Sequence, residues 1–302
     1  MRLGKDAEDT QDKTQNNTHD ISIQAGDVSL ADFRNRRRLS RHFVWSLSVL
    51  SLTVSGHEFW LDPSAHQVTT SQSIGLQFRV GQEFRGSAQP YLQRDINTFM
   101  HLWPSGEAPI TGVLGDSRPA VKLTIKPGLN LITHLTTPQP ISFRPEDAIW
   151  ANYLVLDGLE AQVAAHPDVP QVPPVSERYI RSAKTLVLGP GTSSSARDRD
   201  TFLPFELILE TPPVRLFPGP HRFQITTDGQ PTPGILVKAF RYSDRKTVDQ
   251  RVSATDGWVS LDLPSADRYL ISGVRIDPDT DGLADWLSYW ASLTLEVWPA
   301  TP

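Results

Sequence analysis

Short alternating runs separated by turn residues constrain this 302-residue chain more than any other feature. Polar and apolar residues alternate from His66 to Val80, and the same pattern recurs over 97–103 and 120–125. Gly, Pro and Asp interrupt such runs roughly every eight to twelve residues, which is the spacing of strands in β-sandwiches. A period of two places one side of each strand on a core and the other toward water. The pattern therefore predicts a mostly β protein.

Two β-sandwich parts are predicted, one toward each end of the chain. Residues 57–143 form an N-terminal β-domain in this prediction, and residues 204–298 form a second one. In the second part, Asp228-Gly229 and Asp256-Gly257 are typical hairpin signals. The order of short strands and turns there favours an immunoglobulin-like or transthyretin-like sandwich.

Residues 144–203 depart from this rhythm and predict a short helical insert followed by a flexible linker. Proline and acidic residues at 145–147 are typical of a helix start, and apolar residues follow at near-helical spacing. A second helix is predicted over 175–186, because charged residues there fall on one helical face. These residues are Glu177, Arg178, Arg181 and Lys184. The polar run Gly189–Asp200 predicts a flexible loop.

Residues 34–56 have the layout of a secretory signal peptide. Five arginines within 34–41 precede an apolar block at 43–54, which is shorter than the roughly 20 residues of a membrane span. Small residues then lead to Gly56, so that cleavage would make His57 the first residue of a periplasmic protein. An uncleaved membrane anchor is the alternative interpretation.

Composition predicts disorder at the amino terminus and excludes several classes of function. Residues 1–33 are polar without an apolar period, which predicts a disordered prefix. The absence of cysteine excludes thiol catalysis, zinc-thiolate sites and disulfides, and is compatible with a periplasmic protein. The mild formal charge of −5 does not indicate a nucleic-acid partner or binding to an anionic membrane.

Four stretches carry a resemblance that extends over 57–297. They are His57-Glu58-Phe59-Trp60-Leu61-Asp62-Pro63; Ala151-Asn152-Tyr153-Leu154 with Gly158-Leu159; Glu177-Arg178-Tyr179 with Arg181 and Lys184; and the run from Ala284 to Glu296. In order and spacing these stretches resemble the bacterial domain-of-unknown-function 4198 family. Members of that family are commonly described as periplasmic components of ABC-type cobalt or nickel transport systems. The resemblance implies an exported, mostly β protein that binds nickel or cobalt or assists its uptake, with a membrane metal transporter as partner.

The resemblance implies His57 as the first metal ligand. An α-amino group and an imidazole on one residue can chelate a metal ion, and imidazole suits nickel, copper and zinc. His101 and His134 lie in predicted strands, and either could add a ligand. Relatives often carry a histidine in the strand before the last motif, where this chain has Arg275, which cannot ligate a metal. The remaining candidates, none in a close-spaced metal motif, are His66, His166 and His221.

Two further stretches near the carboxyl end have a functional and a structural interpretation. Asp277–Gly282 resembles the first half of a calcium loop, but Ser288 stands where a bidentate glutamate is expected. Calcium is therefore a weaker prediction than nickel or cobalt. Copper is also a weaker prediction than those two metals. An acidic and aromatic group could form a ligand platform, or its rings could fix a helical turn onto the sandwich. This group is Asp285, Trp286, Tyr289 and Trp290.

The sequence favours a non-enzymatic function. It contains no serine elbow, HExxH, Walker loop or glycine-rich dinucleotide fingerprint. One alternative is a metal-free β-sandwich module that binds glycans or a partner protein. Another is a copper enzyme that uses an N-terminal histidine at position 57, which would need a second histidine close in space.

Overall fold

Strands make up most of the computed structural model, which describes residues 57–146 and 148–300. The predicted prefix (1–33) and signal peptide (34–56) lie outside the described residues. The strands are β1 (Glu58–Pro63), β2 (Ser73–Gln82), β3 (Arg85–Gln89), β4 (Ile96–Trp103), β5 (Gly106–Pro109), β6 (Val121–Thr124), β7 (Leu129–Thr136), β8 (Gln139–Phe143), β9 (Val175–Leu188), β10 (Phe205–Leu209), β11 (Gly219–Thr227), β12 (Gln230–Pro231), β13 (Leu236–Arg241), β14 (Lys246–Val252), β15 (Trp258–Leu263), β16 (Asp267–Pro278) and β17 (Trp286–Val297). The helices are α1 (Ile149–Asp157) and α2 (Glu160–Ala164), with single 3₁₀ turns at Gln93–Asp95 and Pro213–Arg215.

The strands form three layers, which confirms the prediction of a mostly β sandwich protein. The central sheet has the order β14-β13-β16-β17-β9-β7-β4-β5, and β8 pairs with the start of β9. On one face lie the helices and a first small sheet of β1, β2, β3 and β6. A second small sheet of β10, β11, β12 and β15 packs on the opposite face. The central sheet thus combines strands from 57–143 and from 204–298 and serves two sandwiches.

Strand β9 is the element that both sandwiches share. It pairs in parallel with β17, from Glu177 opposite Trp286 onward, and antiparallel with β7 and β8. Because side chains alternate along a strand, Val187 enters the core under the first small sheet, whereas Leu186 and Leu188 enter the core under the second.

The predicted helix over 175–186 is therefore wrong, because these residues form β9. Charged residues three and four positions apart mimic a helix surface, but here Arg178 and Lys184 pair with carboxylates that are distant in sequence, those of Asp279 and Glu206. The helical turn predicted around Trp286–Trp290 is also wrong, because these residues belong to β17. Both tryptophans are buried beneath the helices.

The first part of the predicted insert is helical, as expected. Helix α1 ends at Gly158, whose φ of 67° is readily adopted only by glycine, and a Cβ atom there would lie 2.8 Å from the Cβ of Leu236. The indole Nε1 atoms of Trp150 and Trp286 donate to carbonyls of the connector that follows, at 2.8 and 2.7 Å. No helix among the described residues combines the length and apolar character that a bilayer crossing requires.

A buried ionic group fixes the predicted flexible loop to β9. Lys184 Nζ lies 2.6 Å from Glu206 Oε1 on β10 and 3.0 Å from Asp198 Oδ1 in the loop, and all three side chains are at most 1% exposed. Asp198 also accepts a hydrogen bond of 2.9 Å from the amide of Leu209. Every charge in this group has partners, as burial of ions requires.

Replacing Lys184 by Met would leave two buried carboxylates without their cation. We expect the free energy of unfolding to fall by about 3–5 kcal/mol, measured by urea denaturation. The control is Arg222→Gln, since this half-exposed guanidinium pairs with Glu210 at 3.1 Å on the surface and should contribute less than about 1 kcal/mol. A loss for Lys184→Met no larger than that of the control would contradict the buried ion group.

Candidate functional site

Polar side chains gather on one face of the central sheet, where β1 and α1 cover it. We call this group the polar seam; it consists of His134, Thr136, Glu177, Tyr179, Arg181 and Lys238. Strand alternation explains the grouping, because alternate residues of β7, β9 and β13 point toward β1 and α1. Apolar residues would be expected at such covered positions, so the polar seam is the part of the sheet that stability alone does not explain.

A cavity of about 170 Å³ opens at one end of the polar seam, between the first small sheet and β7, β8 and β9. Phe59 and Phe78 supply apolar walls. The polar walls include His134, Thr136 and Arg181, together with Gln139 and the carboxylate of Asp95. The cavity therefore joins an apolar surface to a small number of hydrogen-bonding groups, which is the usual character of a small-molecule site.

His134 is the most unusual of these wall residues. Its side chain is 2% exposed, and its ring centroid lies 4.9, 4.8 and 5.2 Å from those of Phe59, Phe78 and Phe99. Neither ring nitrogen has a hydrogen-bond partner in the described structure. Burial lowers the pKa of His134 to about 3, so the imidazole is neutral at physiological pH. Buried polar atoms without partners cost free energy, which a ligand in the cavity would recover.

Arg181 brings a positive charge to the same cavity. It is 8% exposed, and its Nη2 donates to the carbonyl of His57 at 3.0 Å. Its guanidinium carbon lies 4.4 Å from the ring centroid of Tyr179, and its Nε has no hydrogen-bond partner. No described carboxylate forms an ion pair with it. Burial lowers the pKa of Arg181, yet a guanidinium keeps its charge in proteins.

His57, the first predicted metal ligand, lies at the start of β1 beside a second ionic group. Lys238 Nζ is hydrogen bonded to the carboxylate of Asp157 and lies 3.8 Å from Glu58 Oε1. Burial raises the pKa of Asp157, and the charges of Lys238 and His57 oppose that rise. Burial likewise raises the pKa of Glu58 to about 7, against the charge of Lys238. His57 thus lies close enough to Asp157 to affect its carboxyl group.

The other two predicted metal ligands occupy different settings. His101 Nε2 lies 2.7 Å from Asn130 Oδ1, near the start of β7. His134 lies four residues further along the same strand, so the imidazoles of His101 and His134 have different neighbours. Among the described residues no group of three or more His, Asp or Glu side chains is placed to hold a metal ion. No such group of described residues therefore includes His57, His101 or His134, and nickel or cobalt binding at these residues stays a prediction.

The carboxylates of the calcium-like stretch bind an arginine. Asp279 accepts two hydrogen bonds from Arg178, at 2.7 and 2.6 Å, and Asp281 accepts one at 2.7 Å. Asp285 accepts bonds from the backbone amide and hydroxyl of Ser176 at 2.7 and 2.6 Å. These contacts tie the loop between β16 and β17 to β9, which is a structural role.

Sequence reasoning missed Glu177 and Arg181 as site residues. Glu177 is 2% exposed; its Oε1 accepts hydrogen bonds from Ser288 and from Tyr153, the latter at 3.2 Å, while its Oε2 has no partner. Burial outweighs these bonds and raises the pKa of Glu177 to about 7. The only sequence signal was their place in the family resemblance, since a single charge in a strand looks like a surface residue.

Replacing His134 by Leu should make the protein less sensitive to acid. The unfolded chain protonates this histidine near its ordinary pKa of 6.5, whereas the folded protein does so only near 3. Wild-type stability therefore falls as the pH decreases from 6.5 toward 3, by about 2–3 kcal/mol at pH 4.5 from this residue. Urea denaturation at pH 7 and 4.5 measures the difference. Parallel pH profiles for the two proteins would contradict the burial of a neutral imidazole.

Replacing Glu177 by Gln should stabilise the protein at high pH only. The folded carboxyl has a pKa of about 7 against an ordinary value of 4.5, so its favourable contribution is complete below pH 4.5 and lost as the pH rises through 7. We expect a gain of up to about 3 kcal/mol at pH 8 and little change at pH 4.5, by calorimetry. Glu210→Gln, at a half-exposed position, is the control. An equal effect at both pH values would exclude this explanation.

Comparisons with known proteins add a family and distant structural likenesses. The family described as "Domain of unknown function (DUF4198)" matches residues 54–277. Among solved structures, a human OSCAR ligand-binding domain is 12% identical, with 80% of this chain and 98% of that chain covered and a TM-score of 0.20. The D0-D1 domain of intimin is 11% identical, with 80% of this chain and 97% of that chain covered and a TM-score of 0.20. Fibronectin(III)-like modules of Clostridium thermocellum CbhA are 9% identical, with 80% of this chain and 95% of that chain covered and a TM-score of 0.19. Such low scores carry no functional argument. No curated protein matches the chain.

Proposed function

The chain belongs to the DUF4198 family of domains of unknown function, and we propose that it is a non-enzymatic binding protein of the bacterial periplasm that holds a small carboxylate-bearing molecule beside His134 and Arg181. One observation carries this proposal. Among the described residues, a buried guanidinium without an ion-paired carboxylate and a buried imidazole with both nitrogens unbonded line one cavity. A carboxylate ligand would supply a partner to each.

The guanidinium of Arg181 would recognise the carboxylate. Arginine presents its N–H groups in a planar fork that matches a carboxylate with two parallel hydrogen bonds. The Nε of Arg181 lacks a partner, while Nη2 is held by the carbonyl of His57. A fixed cation with an open donor is prepared to bind an anion without reorganisation.

The rest of the cavity would select the size and apolar character of the ligand. Its volume of about 170 Å³ is below the roughly 300–1,000 Å³ of pockets for drug-sized molecules, which favours a small acid. Phe59 and Phe78 would contact an apolar or planar body. The neutral imidazole of His134 packs on phenyl rings, where no described carboxylate or hydroxyl orients it as a general base. These surroundings favour binding over catalysis.

Nickel or cobalt handling with a membrane transporter stays a prediction from the family resemblance. Its support would have to come from His57 alone, because His101 and His134 lie in other settings. The copper-enzyme alternative needs a second imidazole beside His57, and neither of those two histidines takes that position.

Binding of small carboxylic acids tests the proposal. We expect saturable heats in calorimetric titrations for at least one of acetate, succinate and benzoate, and none for benzyl alcohol. Arg181→Lys and His134→Leu should weaken binding about tenfold or more, since each loses a hydrogen bond to a charged group. His101→Leu is the matched control, because it removes a buried imidazole that bonds Asn130 elsewhere on the same sheet face.

Two results would overturn the proposal. One is the absence of binding by every acid to protein whose circular dichroism shows intact strands. The other is tight binding of nickel or cobalt that disappears in His57→Ala while Arg181→Lys has no effect, which would favour the metal function instead.

A further inference from the structure

A second cavity, of about 180 Å³, lies on the other side of β1 from His134. Phe59 faces the first cavity, whereas the next residue, Trp60, faces the second, because neighbouring side chains of a strand point in opposite directions. Three arginines line the second cavity: Arg79, Arg85 and Arg245. Such a concentration of positive charge is unusual in a chain whose formal charge is −5.

The arginines are arranged around one tyrosine and one aspartate. The guanidinium carbons of Arg245 and Arg268 lie 3.6 and 3.3 Å from the ring centroid of Tyr242. Asp62 accepts hydrogen bonds from Arg79 at 2.6 Å and from Arg268 at 3.1 Å. One carboxylate therefore serves two guanidinium groups.

The positive charge of Arg85 and Arg245 is not balanced by ion pairs. Neither residue forms one with a carboxylate in the described part of the chain, although Arg245 Nη1 donates to the carbonyl of Phe84 at 2.6 Å. Both Phe84 and Arg245 have a φ of 60°, a left-handed conformation that is uncommon outside glycine. Backbone strain held in place at a cluster of like charges is typical of functional sites.

The indole of Trp60 supplies an independent observation. This side chain is 1% exposed and lines the cavity, and its Nε1 has no hydrogen-bond partner in the described structure. An indole N–H can only donate a hydrogen bond. A buried donor of this kind calls for a hydrogen-bond acceptor, and the guanidinium groups beside it favour one with negative charge.

We propose that this arginine cluster (Trp60, Arg79, Arg85, Tyr242, Arg245 and Arg268) binds a phosphate group. Guanidinium forks match the geometry of phosphate oxygens, and tetrahedral phosphate can accept bonds from several directions at once. The site lies on the opposite side of β1 from the carboxylate cavity and does not depend on it.

Tyr242 provides a reporter of the bound anion. Partial burial alone would raise the pKa of its phenol, but hydrogen bonds and charges from Arg245 and Arg268 outweigh burial and lower the pKa. A phosphate group would offset those positive charges. The pKa of Tyr242 should therefore rise when the site is filled.

Calorimetric titration with inorganic phosphate at low ionic strength is the first test. We expect saturable binding that weakens about tenfold or more in Arg85→Gln and in Arg245→Gln. Arg85 is exposed, so its loss should leave the fold intact. Arg222→Gln is the matched control, because Arg222 also stacks on an aromatic ring, 4.4 Å from Trp258, but pairs with Glu210. His134→Leu should not change phosphate binding, so the two proposals can fail separately.

Two further measurements identify the source of the phosphate and check the site. Glucose 6-phosphate and vesicles that contain phosphatidic acid are compared with inorganic phosphate. If the protein binds any of these three probes and Arg85→Gln abolishes that binding, the result supports the proposal and identifies the source of the phosphate. Ultraviolet titration of wild type against Tyr242→Phe should show the phenol pKa rising with phosphate. Absence of saturable binding by all three probes, or equal weakening in Arg222→Gln, would overturn the proposal.

Discussion

The parallel pairing of β9 with β17 is the interaction on which the rest of the structure depends. It joins residues 109 positions apart, such as Glu177 and Trp286, and makes one sheet from strands at both ends of the chain. Each face of β9 then belongs to a different core. A strand in this position has no side that can remain in water, so every charge on it must be neutralised or matched by the elements packed above and below.

The charges on β9 are matched to different degrees. On one face Lys184 meets Asp198 and Glu206, and the three charges satisfy one another. On the other face, Glu177 keeps an unbonded oxygen and Arg181 an unbonded nitrogen. The first arrangement is what stability requires. The second leaves hydrogen-bonding capacity unused, and the nitrogen of Arg181 lies at a cavity, where a ligand could use it.

Strand β1 separates the two proposed binding sites. Its alternation directs Phe59 toward the carboxylate cavity and Trp60 toward the arginine cluster. The carbonyl of His57, just before this strand, is held by Arg181. The position of β1 therefore sets the geometry of both sites, which gives the resembling stretch that begins at His57 a structural role.

Local patterns in the sequence determined what depends on neighbouring residues. Alternation gave the strands, the Asp228-Gly229 pair gave the hairpin between β11 and β12 with φ angles of 48° and 74°, and apolar spacing gave α1. His134 was identified as a candidate metal ligand, and the structure places it at the wall of a cavity. Only the tertiary structure decided that 175–186 is a strand, because charges at helical spacing look the same whether water or a distant carboxylate surrounds them. It alone placed Arg181 and His134 at one cavity, since their relative positions follow from the pairing of β7 with β9, which no local pattern encodes.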